Sequence, residues 1–260
     1  MQPFKIKVMR RISIVKRFYY LFLEIKRELA IKSEFNELVN KTTDNRFQIN
    51  WSDRFIYLND NTKDTFFDAH YIYHPAWAAR IVKKLNFEKH IDISSTLHFA
   101  AIVSAFKTIE FYDYRPANLN LSNLTTNFAD LTKLPFKNNS IQSISCMHVI
   151  EHIGLGRYGD PIDPKADLVA MGELKRVTQV GGNLLIVVPV GKPRIQFNAH
   201  RIYSYELITN FFLKDGIFKI EDFLLIPDDS IKNGNKLNAS AEEVNSQYYG
   251  CGCWHFVKVK

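Results

Sequence analysis

A doubly wound, mostly parallel α/β sheet is the fold class this sequence predicts, and three observations predict it. From about residue 89 onward, short runs rich in β-branched residues alternate with segments of helical period, the pattern of strand–helix–strand units. The run "NLLIVVPV" is apolar throughout, as a strand covered on both faces must be. Asp92 and Asp113, about twenty residues apart, each close a short predicted strand with an amphipathic helix between them, the spacing of a mononucleotide-binding unit.

Taken in order, residues 9–39 have helical period, with Phe18, Phe22, Ile25 and Leu29 recurring at steps of four and three and Lys16, Arg17, Lys26 and Arg27 beside them. The polar, turn-rich stretch from "TTDNRFQINWSDRF" to "DNTKDTF" reads as a linker and small cap. "HPAWAARIVKKL" is a helix with Pro75 in its first turn. A strand at 90–93 leads to a helix over 98–106 and a strand at 108–112. "SIQSISCMHV" is a further strand, and "DPKADLVAMGELKRVTQV" a helix with Asp163 as N-cap. Gly181 and Gly182 turn the chain into the buried strand. "YSYELITNFFLKDG" is a helix ended by Gly216, and "FKIEDFLLI" and "CWHFVKVK" are the last two strands. The expected organisation is a basic amphipathic helical arm over 1–40, a linker and cap helix over 41–88, and the α/β domain over 89–260.

Composition narrows the function. The chain has 260 residues, 46% of them hydrophobic, which suits one α/β domain with an appendage. No apolar run approaches the roughly 18 residues that span a bilayer. Glu24 interrupts the only N-terminal apolar run and no small-residue cleavage site follows, so no signal peptide is expected. Eight basic and two acidic residues within 1–30 account for +6 of the formal charge of +7. The body therefore lacks the basic face that nucleic acid requires. Three readings stand for the arm: packing on its own domain or on a partner subunit, contact with an anionic membrane surface, or a loosely ordered tail. Cys146, Cys251 and Cys253 form no disulfide framework and read as reduced thiols of a cytoplasmic protein, peripheral at the inner membrane surface if the arm binds there. A metal at "CGC" needs further ligands, and His255 is the only near one. Asp68, His70 and His74 offer a cap contact or a metal pair without an evident third ligand, so no metal is expected.

Ligands of such sheets bind beyond the carboxyl ends of the strands, at the switch in strand order. Asp92, Ser94 and Ser95 lie in the first such loop. Asp113 ends the second strand, where a carboxylate accepts from ribose hydroxyls, and Asp130 follows, where an acid accepts from an exocyclic amine. Asp92 and Asp113 also fit solvated strand-end caps. A nicotinamide dehydrogenase is disfavoured, since the glycine-rich pyrophosphate turn is missing.

The run "ADLTKLPFKNNSIQSISCMHVIEHI … ELKRVTQVGGNLLIVVPV" resembles the second half of a class I S-adenosylmethionine-dependent methyltransferase. More narrowly, "FYDYRP", "SCMHVIEHIGLGRYGDPIDP" and "FNAHRIYS" are similar to the methyltransferase-like family called domain of unknown function 268. The resemblance covers about residues 66–260. It implies a Rossmann-like, seven-stranded sheet with an antiparallel C-terminal hairpin strand. It also implies S-adenosylmethionine as cofactor, held by Asp92, Ser94, Ser95, Asp113, Asp130, Leu131, Cys146 and His148. The departure from the superfamily is the first loop, where Ser94, Thr96 and His98 stand at the positions of Asp-x-Gly-x-Gly-x-Gly glycines that permit positive φ. Ser94 and Ser95 are expected to offer backbone N–H and hydroxyl donors to a carboxylate. The implied reaction is methyl transfer to an oxygen of a small polar or carbohydrate acceptor, loosely linked to surface-polysaccharide assembly. His200 is expected as general base, with Glu151 and Asp160 binding the acceptor and His148 beside them. The rival class is a binding or scaffold protein of the same fold that has lost the cofactor loop.

Overall fold

The structure is a computed structural model that describes residues 3–44, 46–57 and 60–260, with side chains described from residue 16 onward except 17, 23 and 24. The chain falls into two compact units, Met1–Phe66 and Phe67–Lys260. In the first, helix α1 spans Pro3–Lys41 without a break. Near its end Phe35 meets Trp51 edge-on at 5.0 Å, and the Lys32 ammonium lies 3.9 Å above the same indole. Phe18, Tyr19, Tyr20, Leu21 and Phe22 are all exposed. Five consecutive positions at about 100° each go round the helix, so the apolar residues do not form the one-sided stripe that an amphipathic arm requires. Lys5, Lys7, Arg10 and Arg11 lie outside the described side chains. No described helix is long and apolar enough to cross a membrane.

The second unit opens with α2, Ala69–Lys84, capped by the Asp68 carboxylate, which accepts from Tyr71 N. The helix starts five residues earlier than its sequence signals imply, so Pro75 stands inside it and not in its first turn. Proline there cannot donate to the carbonyl four residues back, and burial of His70, His74, Trp77, Ala78 and Val82 on one face holds the helix in place. Then come β1 (Lys89–Ile93), α3 (Leu97–Ser104), β2 (Thr108–Asp113), β3 (Leu124–Phe128) and β4 (Ile141–Met147). They are followed by α4 (Ala166–Val177), β5 (Thr178–Val190), a small hairpin of β6 (Arg194–Gln196) and β7 (His200–Ile202), and α5 (Tyr205–Leu213). The chain closes with β8 (Phe218–Ile226), α6 (Ser230–Asn233), β9 (Lys236–Leu237), α7 (Ala241–Asn245) and β10 (Gly250–Lys258).

The sheet order is β3-β2-β1-β4-β5-β10-β8-β9. The first five of these strands are parallel, and β10 inserts antiparallel between β5 and β8. Seven strands carry the architecture, and the two-residue β9 extends one edge. This is the Rossmann-like sheet with an antiparallel C-terminal strand that the sequence implies. Period-two alternation divides the core: along β10, Cys251 and Cys253 face α2 and α3, while Trp254 and Phe256 face α4 and α5. Phe212 stacks on Phe256 at 4.7 Å in the second layer.

Two local readings differ from the structure. Strand β3 has no counterpart in the sequence reading: only Leu124 of its five residues is buried, so this edge strand has no apolar run. Asp163 does not cap α4, which begins after Lys165; its carboxylate accepts from Lys165 N at 2.8 Å in a turn leading into the helix.

Candidate active site

The order of strands reverses between β1 and β4, and the crevice beyond their carboxyl ends is the site such sheets provide. It holds two adjoining cavities. One, of about 520 Å³, runs past Asp113, Asp130, Leu131 and Thr132. The other, of about 460 Å³, is walled by Glu151, His200, Tyr71 and Tyr249. Ser94, His148, His152 and Tyr158 border both, so the two form one cleft.

The missing glycines are resolved at Ser94, which adopts φ +55° without being glycine. The left-handed conformation costs an L-residue roughly 1–2 kcal/mol. Here it is held by bonds from both the Ser94 N–H (2.8 Å) and its hydroxyl (3.2 Å) to Tyr112 O. Thr96 takes another role, capping α3 by accepting from Phe99 N. His148 is a second left-handed residue, at φ +57°, and two such strained positions facing each other across one cleft fit a functional site.

The donors expected of this loop are mostly used internally. Ser95 N–H goes to Asp92 Oδ2 (3.1 Å), its hydroxyl also bonds the Asp92 carboxylate, and its Oγ accepts from Met147 N (3.1 Å). Asp92 borders neither cavity. It is fully buried between Ser95 and Ser145, and burial raises its carboxyl to about 7 against the hydrogen bonds of those serines. Ser145 continues to His90 Nε2 (2.9 Å), and His90 to Ser143 (2.7 Å). Burial lowers His90 to about 3, so it is neutral. Cys146 is likewise fully buried in the core away from the cleft. Both residues depart from the expected cofactor set, because their positions on β1 and β4 point into the sheet layers.

Asp113 and Asp130 do face the cleft. Asp113 Oδ1 accepts from Arg115 N (2.7 Å), and Asp130 Oδ1 from the Thr132 N–H (2.8 Å) and hydroxyl (2.7 Å). The second oxygen of each carboxylate has no hydrogen bond among the described residues.

In the other cavity, Glu151 is 1% exposed; its Oε1 accepts from His148 Nδ1 (2.8 Å) and its Oε2 has no partner. Burial opposes charge on His148, while the Cys251 sulfur and Glu151 carboxylate favour it, and the net direction is upward. His152 Nδ1 donates to Ala199 O (2.6 Å), which fixes the start of β7. His200, the first residue of β7, has a buried Nε2 without a partner. Burial lowers its pKa, with Glu151 opposing and His152, Arg157 and His148 adding to the shift. The geometry brings Glu151, His148 and His200 together. Asp160 lies in the adjoining cavity, and its carboxylate is spent on the loop, accepting from Gly154 N (2.7 Å), Tyr158 N (3.2 Å) and Gly156 N (3.4 Å). It organises the loop and is not placed to bind an acceptor. Gly154 has φ +78°, and a Cβ there would meet Asp163 O at 2.1 Å. Arg201 is buried, donating to Ile153 O (2.6 Å), and so ties the same loop to β7.

Tyr71, Tyr158 and Tyr249 escape the sequence reading. Each sits in a turn or on a helix whose orientation only the tertiary fold sets, and no local pattern marks them. His70 and Cys251, which the sequence offered as separate metal candidates, both meet His148, from α2 and β10. His255, the expected neighbour of "CGC", lies further along the same face of β10 and bonds Asn183 Oδ1 (2.6 Å).

Strand order and the reversed terminal strand make this a Rossmann-like sheet with an antiparallel C-terminal strand, and the cleft lies at its switch point. Residues 106–214 match the family described as "Caenorhabditis protein of unknown function, DUF268", the family its motifs resemble. No curated protein matches the chain. Among solved structures, the chain is similar to the Haloferax volcanii complex of the Trm112 methyltransferase activator with a methyltransferase (15% identity, 72% of this chain, 90% of that chain, TM-score 0.49). It is also similar to the N-methyltransferase NodS of Bradyrhizobium japonicum, solved with S-adenosyl-L-homocysteine (11% identity, 72% and 86% coverage, TM-score 0.49). A third is a methyltransferase of Bacillus halodurans (14% identity, 71% and 97% coverage, TM-score 0.48). Likenesses this distant carry no argument about activity.

Proposed function

We propose that the chain is an S-adenosylmethionine-dependent methyltransferase that acts on an oxygen of a small polar or carbohydrate acceptor. The observation that supports this best is the two-part cleft, with unpartnered carboxylate oxygens at one end and an unpartnered imidazole nitrogen at the other. When bound, S-adenosylmethionine supplies an activated methyl group. Asp113 is suited to accept from ribose hydroxyls and Asp130 from the adenine amine, each through its open Oδ2.

Methylation of a hydroxyl requires loss of its proton. His200 is held neutral by burial, and its bare Nε2 is available to take that proton. The Oε2 of Glu151, buried and unpartnered among the described residues, accepts a hydrogen bond from a second hydroxyl once the acceptor enters, and fixes its orientation. Tyr71, Tyr158 and Tyr249 supply aromatic walls on which a sugar ring packs.

The test is transfer of labelled methyl from S-adenosylmethionine to a panel of monosaccharides and nucleotide sugars, with wild type beside His200→Gln. Label that resists mild alkali, as a methyl ether does, and that disappears in His200→Gln while the cofactor still binds, supports the reading. Equal transfer by the variant refutes the base. Alkali-labile label would replace the hydroxyl acceptor by a carboxylate.

A further inference from the structure

Behind the wall of the second cavity, α2, the end of β4 and β10 converge on a group of soft and borderline donors that the proposed reaction does not use. A donor atom from each of His70, His148 and Cys251 lies within 4.8 Å of the other two. The His148 Nε2 to Cys251 Sγ distance is 3.5 Å. Two ligands of a tetrahedral ion at about 2.1 and 2.3 Å are separated by nearly that distance. We infer that His70, His148 and Cys251 form a binding site for a single Zn²⁺ ion. The inference is independent of whether the chain binds S-adenosylmethionine.

Three features of the surroundings support it. The Glu151 carboxylate accepts from His148 Nδ1 at 2.8 Å, which orients the ring and leaves Nε2 as the nitrogen that faces Cys251. A carboxylate behind a ligating imidazole is the usual outer partner of histidine-bound zinc. The His70 ring lies parallel to that of His148, with centroids 5.5 Å apart, so moving His70 by about an ångström closes all three donors to zinc-ligand separations. His74, one turn along α2, is fully buried with its Nε2 unpartnered and its ring 5.0 Å from that of His148, so a second imidazole crowds the site with no hydrogen-bonding use for its nitrogen. His70 also stacks on Tyr249 at 5.0 Å, and Cys251 Sγ lies 3.8 Å from Cys253 Sγ, contacts that leave one donor atom of each residue for the ion.

The donor set selects the metal. One thiolate and two imidazoles suit Zn²⁺ and not Mg²⁺ or Ca²⁺, which take oxygen. On binding, the Cys251 S–H and the His148 Nε2–H bonds break, their electron pairs go to Zn²⁺, and both protons leave to solvent, so that the histidines bind as neutral imidazoles. Three protein donors leave a fourth position for water.

The test uses the full chain, stripped of metal and shown to be folded by circular dichroism. Zn²⁺ is titrated in competition with a chromogenic chelator, and Co²⁺ serves as the spectroscopic probe. The inference predicts one equivalent of Zn²⁺ bound, and a Co²⁺ form with tetrahedral visible bands and thiolate-to-cobalt charge transfer. Glu151→Gln should weaken Zn²⁺ binding about 10–100-fold, and His70→Ala by more than that. Cys251→Ser should abolish the charge-transfer band; if that variant does not fold, the His70→Ala affinity decides. A folded wild type that binds no Zn²⁺ overturns the inference. So does a Co²⁺ form without charge transfer, or an affinity unchanged in His70→Ala.

Discussion

Asp92 is a carboxyl group with no cation beside it, and replacing it with asparagine gives a pH-dependent change in stability whose sign and size follow from its surroundings. Its contacts are neutral: Ser95 N–H at 3.1 Å on Oδ2 and the Ser145 hydroxyl on Oδ1. Burial outweighs these donors, Asp113 adds repulsion, and the carboxyl is raised from its ordinary 3.8 to about 7. Between those two values the folded chain holds a proton that the unfolded chain has lost. Stability therefore falls as pH rises through the window, by about 1.4 kcal/mol per pH unit. Over about three units the ionised carboxylate costs roughly 4 kcal/mol, a cost fully present above the folded pKa and absent below the unfolded one. In Asp92→Asn the amide oxygen still accepts from Ser95 N, and the amide nitrogen donates to Ser145, whose own proton turns to His90 Nε2. The variant should exceed wild type by about 2–4 kcal/mol near pH 8, with the gap closing near pH 4. Urea denaturation of both proteins at several pH values, read by tryptophan fluorescence with the slope m checked for constancy, measures this. A gap that does not change with pH, or a variant less stable than wild type near pH 8, refutes the reasoning.

Other substitutions probe the strained turn, a helix end and the proposed base. Ser94→Gly removes the left-handed strain along with the hydroxyl bond to Tyr112 O, so thermal unfolding should move by less than about 1 kcal/mol. Ser94→Val forces a β-branched residue to positive φ and should cost about 2–3 kcal/mol; equal stabilities would mean the turn is not left-handed. Lys258 Nζ donates to Asn139 Oδ1 (2.6 Å), Lys175 O (2.8 Å) and Thr178 O (2.9 Å), where α4 ends. Lys258→Met strands those carbonyls and should lower stability by about 2–3 kcal/mol by denaturant titration. His200 should titrate below the ordinary imidazole value in nitrogen-resolved NMR, with Glu151, His152, Arg157 and His148 the groups around it. Methyl transfer should then be flat through neutrality and fall only in acid. A His200 midpoint above the ordinary value would contradict its role as a neutral base.

The frame of this protein was legible because its determinants are local. The continuous apolar run of β5, the alternation that ends at Asp92 and Asp113, and the Gly216 signal after α5 each act within a few residues. What was not legible depends on contacts between distant segments. Strand β3 is held by its pairing with β2, not by its own composition. Asp92 reads as a cleft residue by spacing, but the pleat turns its side chain between β1 and β4 toward Ser145. Asp160 reads as a free carboxylate until three backbone N–H groups of its own loop are seen to hold it. The donors around Cys251 come from residues 70 and 148, and no local pattern announces such a meeting. At Ser94 the sequence lacks the residue that the turn ordinarily demands, yet the turn forms, because two bonds to Tyr112 O hold serine there.

Calorimetric titration of the folded chain with S-adenosylmethionine and S-adenosylhomocysteine, beside Asp113→Ala, tests the central claim most directly. The account predicts binding of both ligands to wild type at micromolar concentration, and loss of about 1.5–3 kcal/mol of binding free energy in the variant, the worth of hydrogen bonds to a charged group. No heat of binding from wild type at millimolar ligand, or binding indifferent to Asp113→Ala, would contradict it and leave a methyltransferase fold that serves as a binding or scaffold protein.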